Sequence, residues 1–224
     1  MHVDKIVKIC IAFSNQLNDI IQHQHDAGDI DGQQMTSRIL YDIYMAILPV
    51  APHGIRANII STKANICAVL FWQKRDYAAA YDEYLDLLNT AVEYDLAAPD
   101  EDGRFLDQAN TRLVDAYVRC ILCLEKLERK EGMSELLDNA EKWATYFADH
   151  TEVAKGDAPR VLFEIFASLN RNSSPLSMIF LSLAMEGIKA EKYIAEEHEE
   201  TVKMIVDAFM QMMGAFGKDA QNDN

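Results

Sequence analysis

The residues best suited to chemistry in this 224-residue sequence are four cysteines and six histidines set among 36 carboxylates. Cys120 and Cys123 form a CxxC, the spacing used by redox pairs and zinc sites. It lies inside RLVDAYVRCILCLEKL, with no glycine or proline to make a turn. On a helix the two thiols share one face, but a redox pair wants an exposed helix start, and zinc wants a second close pair, which the sequence lacks. Core packing is the reading that fits, as it does for Cys10 and Cys67 in apolar helical runs. His23 and His25 stand two apart, so a helix points them to different faces. His198, in AEEHEE, has no glutamate three residues before it, which the helical carboxylate-histidine metal motif needs. It reads as a surface residue, as do His53 and His150. No phosphate-binding glycine loop, HExxH, EF-hand spacing or GxSxG elbow occurs. No catalytic residue, metal ligand or cofactor is therefore expected.

Charge narrows the partners. The formal net charge is −15, which opposes phosphate backbones and anionic membranes, because both need a positive footprint. Between Asp76 and Asp107 ten acids (Asp76, Asp82, Glu83, Asp86, Glu93, Asp95, Asp100, Glu101, Asp102 and Asp107) face one base, Arg104. Such a run is either a solvated outer face or a steering surface for a basic ligand. No targeting segment is apparent, no apolar run approaches the ~20 residues of a membrane span, and unpaired thiols suit a reducing compartment such as the cytoplasm.

The elements that would position these residues are helices. Nine glycines and five prolines leave long uninterrupted stretches, and apolar residues recur at spacings of three and four. Helix one is predicted over 3–25, with Ile6, Ile9, Cys10, Phe13, Leu17, Ile20 and Ile21 as its inward stripe. Helix two, ending before Pro49 and Pro52, turns Met35, Ile39, Leu40, Ile43 and Ile47 inward. Helices over 54–73 and 77–94 meet at Lys74-Arg75-Asp76, a link so short that they must fold back antiparallel. AAPDEDG, within 96–103, is the candidate internal boundary. A helix over 105–127, apolar on several sides, is followed by one carrying Leu136 to Phe147. Shorter helices start at Pro159 and at Pro175, the latter capped by Ser174. The last runs over 191–213, and 214–224 reads as a disordered tail. The domain expected is 1–213.

The hairpin from Ser61 to about Tyr94 resembles a tetratricopeptide repeat. Ala64, Cys67, Ala68 and Phe71 fall at the first-helix packing positions of that family, with Ala64 where its tryptophan stands. Asp76-Tyr77 resembles its turn, while Ala80 and Tyr84 match the small and aromatic positions of the second helix. The resemblance implies an all-α fold of antiparallel helical hairpins, packed as a short right-handed superhelix or an irregular bundle, with a groove for a protein or peptide. The expected function is a protein-interaction module (adaptor, chaperone-like protein or regulator) holding another protein's segment, with a basic segment favoured by the charge. Its expected contact residues are Tyr41, Tyr44, Trp72, Tyr81, Asp82, Asp86, Arg112 and Tyr117. Two alternatives are an acidic nucleic-acid mimic and an enzyme with a pocket between helices. Phe209, Met212 and Met213, apolar to the end of the last helix, are expected to join two copies as a homodimer.

Overall fold

The computed structural model describes residues 2–51, 54–99, 102–104, 107–190 and 198–222, and describes side-chain burial there except at 2–4, 109, 213 and 215–222. The fold is all-α. Ten α-helices occur among the described residues: α1 (His2–Asp26), α2 (Ile30–Ile47), α3 (Arg56–Ala68), α4 (Tyr77–Glu93), α5 (Asp107–Lys126), α6 (Lys130–Asp138), α7 (Ala140–Asp149), α8 (Ala158–Arg171), α9 (Ser177–Lys189) and α10 (Glu199–Asn222). None of the described helices is long and apolar enough to cross a membrane.

Local chemistry sets most of the boundaries. Asp29, Asp76 and Asp157 cap α2, α4 and α8, each carboxylate accepting the N–H three residues on (Gly32, Ala79, Arg160) at 3.0–3.1 Å. Each satisfies one of the orphan donors at a helix start. Between α3 and α4 the chain widens into a π-helical segment, Val69–Lys74, and then reverses at Arg75, whose φ of 54° is left-handed. The Asp76 N–H closes this turn on the Leu70 carbonyl at 3.0 Å. Proline ends α2 as the sequence predicts. The single helix expected through 136–147 is two, α6 and α7, broken at Asn139. Ser174 accepts the Leu176 N–H at 3.2 Å, so α9 begins two residues later than its proline suggests.

The chain divides into two compact units. One comprises Met1–Glu135 with His150–Glu152, the other Leu136–Asp149 with Val153–Asn224. The division falls inside α6 and not at 96–103. There Leu96 and Ala97 are fully buried, so this linker is anchored in the core of the first unit. The last helix continues through Asn222, beyond the Gly214 where a disordered tail was expected.

In the first unit α1 pairs with α2, α2 with α3, and α3 and α4 with α5. α5 is central: Leu113, Ala116, Tyr117, Val118, Cys120, Ile121, Cys123 and Leu124 are all fully buried, the several-sided apolar helix expected. α1 departs from expectation. It buries Leu17 and Ser14, yet leaves Ile6, Ile9, Phe13 and Ile20 exposed, and α2 likewise exposes Met35 and Ile39. In the second unit α8 lies between α7 and α9, and α10 packs on α8 and α9. Gly187 of α9 lets the helices close: a Cβ there would sit 2.8 Å from Pro159 Cγ of α8. α9 buries Phe180, Leu181 and Ala184, while Ile179 stays partly exposed.

Candidate functional site

Lys63, in the middle of α3, is buried. Burying an unpaired ammonium is prohibitively costly, so it must be met by carboxylates. Glu83 and Asp86, one turn apart on α4, both pair with it, Asp86 at 2.6 Å. Glu83 also pairs with Arg38 of α2, and the Lys63 ammonium lies 5.0 Å from the Tyr41 ring centroid, also on α2. Three helices thus share one ion cluster. Burial works against charge on Lys63, but the bonds to Asp86 and Glu83 prevail and hold its pKa above the ordinary lysine value. Burial likewise pushes Glu83 upward, but Lys63 and Arg38 outweigh it and hold it below the ordinary carboxylate value. A general acid or base works best with a pKa near the operating pH. These two are driven away from it, so the cluster is a clamp between helices.

A second constellation joins α3 to α5. Arg112 Nη1 donates to Asn65 Oδ1 at 3.2 Å. Two turns further along, the Arg119 guanidinium stacks 4.8 Å from the Trp72 ring and 5.1 Å from that of Phe71. Asp115 holds the same arginine at 3.1 Å. Both links join residues 47 apart (112 − 65 and 119 − 72), so α3 and α5 run parallel in a constant register. The two rings of the π-helical segment meet edge to face at 4.8 Å and then part: Phe71 is buried, whereas Trp72 is 58% exposed. π-helical turns are rare and recur at functional sites. Here one supplies a large exposed ring fixed from behind by an arginine.

The other expected contact residues divide between surface and core. Arg112, Asp82 and Asp86 are exposed and Tyr41 is half-buried. Tyr44, Tyr81 and Tyr117 are core side chains, so the exposure expected of them is not found. Tyr117 is enclosed by the central helix's neighbours. Tyr81 is covered by the chain that follows α5: Arg129 lies over its ring at 5.6 Å, and a Cβ on Gly132 would come within 3.1 Å of its hydroxyl. Phe209 and Met212 are half-buried on α10, and Met213 lies outside the described side chains, as His53 lies outside the described residues.

The acidic run is largely employed within the first unit. Asp76 caps α4, Glu83 and Asp86 hold Lys63, Asp95 lies 3.1 Å from His150, and Asp102 pairs with Arg104. Asp107 accepts the Thr151 hydroxyl at 2.8 Å and the Glu152 N–H at 3.1 Å. Most of the described carboxylates of the run thus have a partner within the chain, while Asp86, Asp95 and Asp102 keep more than half of their side-chain surface exposed.

In the second unit, sequence reasoning missed His198. It is mostly buried, with Nδ1 3.1 Å from Asp157 Oδ2, and the buried Thr201 hydroxyl donates to the same oxygen at 2.6 Å. The helix start at Pro159 was legible in the sequence, but the partners of Asp157, more than 40 residues on, left no local signal. Cys67, Cys120 and Cys123 are buried and unpaired. Burial pushes all three thiols up, Cys123 to about 12, which disfavours the reactive thiolate at neutral pH. A cavity of about 290 Å³ opens between α1, α2 and α3, lined by Val7, Ile11, Ser14, Tyr44 and Ile55 among others; among the described residues its lining contains no carboxylate, histidine, lysine or thiol. Among the described residues no group of three or more metal-ligating side chains converges. No family model, curated protein or solved structure matches the chain.

Proposed function

We propose that this protein is a protein-interaction module whose α3–α5 face, centred on Trp72, holds a segment of another protein in a reducing compartment such as the cytoplasm. The observation that carries the reading is the 58% exposure of Trp72 together with the Arg119 stack behind it. Tryptophan and arginine dominate the energetics of protein interfaces, and a ring held in place before binding loses little freedom on contact. Asn65 and Arg112 continue the same pair of helices and offer polar contacts to an extended segment. The net charge of −15 favours a basic ligand, steered from a distance and slowed by salt.

The test is selection of peptides from a random library against the wild-type chain, with Trp72→Ala as the counter-target. The expected peptides carry an apolar anchor and basic flanks, shift tryptophan emission to the blue in a Trp143→Phe background, and bind Trp72→Ala at least ten-fold more weakly. Circular dichroism should be unchanged by Trp72→Ala, since the ring is mostly outside the core. If every selected peptide binds both forms equally, Trp72 is not the anchor and the reading fails.

A further inference from the structure

The exposed apolar face of the α1–α2 hairpin has no role in that reading. On α1, Ile6, Ile9, Phe13 and Ile20 are 44–67% exposed, and on α2 Met35 and Ile39 are 64% and 46% exposed. At 3.6 residues per turn the four α1 residues fall within an arc of roughly 60°, and the two on α2 within roughly 40°. Both arcs point away from α3. Val7, Ile11 and Ser14 of α1 and Tyr44 of α2 line the cavity against Ile55 and Asn58, and the exposed stripes lie roughly 140–160° round from them. This is the outer face of the end hairpin in the helix stack, where such stacks ordinarily present a polar cap.

We propose that this face joins two copies of the chain, with α1 lying antiparallel on α1 of its partner about a two-fold axis at Phe13. Charge argues for a second copy in this orientation. Among the described side chains of α1, Lys5 and Lys8 stand before Phe13 and Asp19 and Asp26 after it, all exposed and all along one edge of the stripe. In an antiparallel pair centred on Phe13, residue i meets residue 26 − i. Ile6 then meets Ile20, Phe13 meets itself, and Lys8 arrives beside Asp19, once at each end. A parallel pair would set the two charged edges on opposite sides of the contact, where neither meets the other. α1 is also a part of this strongly acidic chain where bases nearly balance acids, Lys5 and Lys8 against Asp4, Asp19 and Asp26, so two copies approach here with little of the repulsion that net −15 imposes elsewhere. Six half-exposed large side chains, at roughly 100 Å² each, offer about 600 Å² per copy, and the flanking polar residues bring this near the ~800 Å² of a stable interface. A contiguous apolar patch of that size is itself a mark of an interface.

The experiment is sedimentation equilibrium of the full chain at 1–100 µM, set against its 25.4 kDa monomer mass (concentrations on the order usual for transient dimers). The expected species is a dimer. Phe13→Asp, which places two carboxylates on the axis, should weaken it at least ten-fold without altering helicity. Ile9→Asp, at a more exposed position, asks the same question should Phe13→Asp disturb the fold. Lys8→Asp should weaken it, and Lys8→Asp combined with Asp19→Lys should restore it, because the swap preserves each pair. A monomer across the range overturns the proposal. So does a dimer that ignores these substitutions, including one that yields instead to Met210→Lys on α10.

Discussion

Around Lys63 three helices meet to bury one cation, whereas around Asp157 a single carboxylate is buried by the start of its own helix and the start of another. The first cluster spends two carboxylates and two cations, and part of it reaches water: the Asp86 side chain is 58% exposed, as against 17% for Glu83. Asp157 is 6% exposed and holds three partners with its two oxygens, the Arg160 N–H, His198 and Thr201. Redundant partners make a cluster tolerant, and a single shared acceptor makes it brittle. The difference should appear in how each responds to losing one member.

The largest effect is expected from Asp157→Ala. It removes a helix cap, about 1 kcal/mol, and strands the buried Thr201 hydroxyl, about 1–3 kcal/mol more. A loss of about 2–4 kcal/mol should appear as a lowered denaturation midpoint, with amide exchange accelerating first at the start of α8 and in α10. Lys63→Met should cost less than this, and less than the roughly 3–5 kcal/mol of breaking an isolated buried pair: Glu83 keeps Arg38, Asp86 rehydrates, and the methionine retains the buried stem. If Lys63→Met proves the more damaging, the cluster is not redundant and the comparison is wrong.

The smallest and most diagnostic effect is in pH. Glu83 is held below its ordinary value of 4.5 in the folded chain, so its contribution is complete above that value and lost as pH falls through the lower folded one. Lys63 is held above 10.5, so its contribution is complete below that and lost as pH rises further. As pH falls below 4.5 the unfolding free energy of Glu83→Gln should therefore fall less steeply than that of the wild type. Near pH 7 the profile should be flat with respect to both groups. Identical acid slopes in the two proteins would show that Glu83 is not held down by its partners.

Much of the fold was readable from the residues alone. The helix spacing, the proline stop after α2 and the hairpin at Lys74-Arg75-Asp76 all depend on residues within a turn or two of one another. The multi-sided apolar pattern of α5 likewise marked it as central, and the buried CxxC within it follows from the same run. The candidate site was legible in part: Trp72 and Arg112 stand out by their type, but Arg119, which fixes the ring, does not, because its partner lies 47 residues away.

The amino-acid pattern by itself determined that the chain is helical and which residues are apolar; a helix needs only its own backbone bonds and one apolar stripe. Tertiary structure alone decided which stripe is covered. Ile6, Ile9, Phe13 and Ile20 have the same spacing as a core stripe, yet α1 packs on α2 through the adjoining face around Ser14 and Leu17 and leaves them open. Lys63 reads as a surface charge until Glu83 and Asp86 close over it, and Tyr81 as a surface ring until Arg129 and Gly132 cover it. Periodicity is a property of one helix, whereas burial is a property of what the rest of the chain places against it.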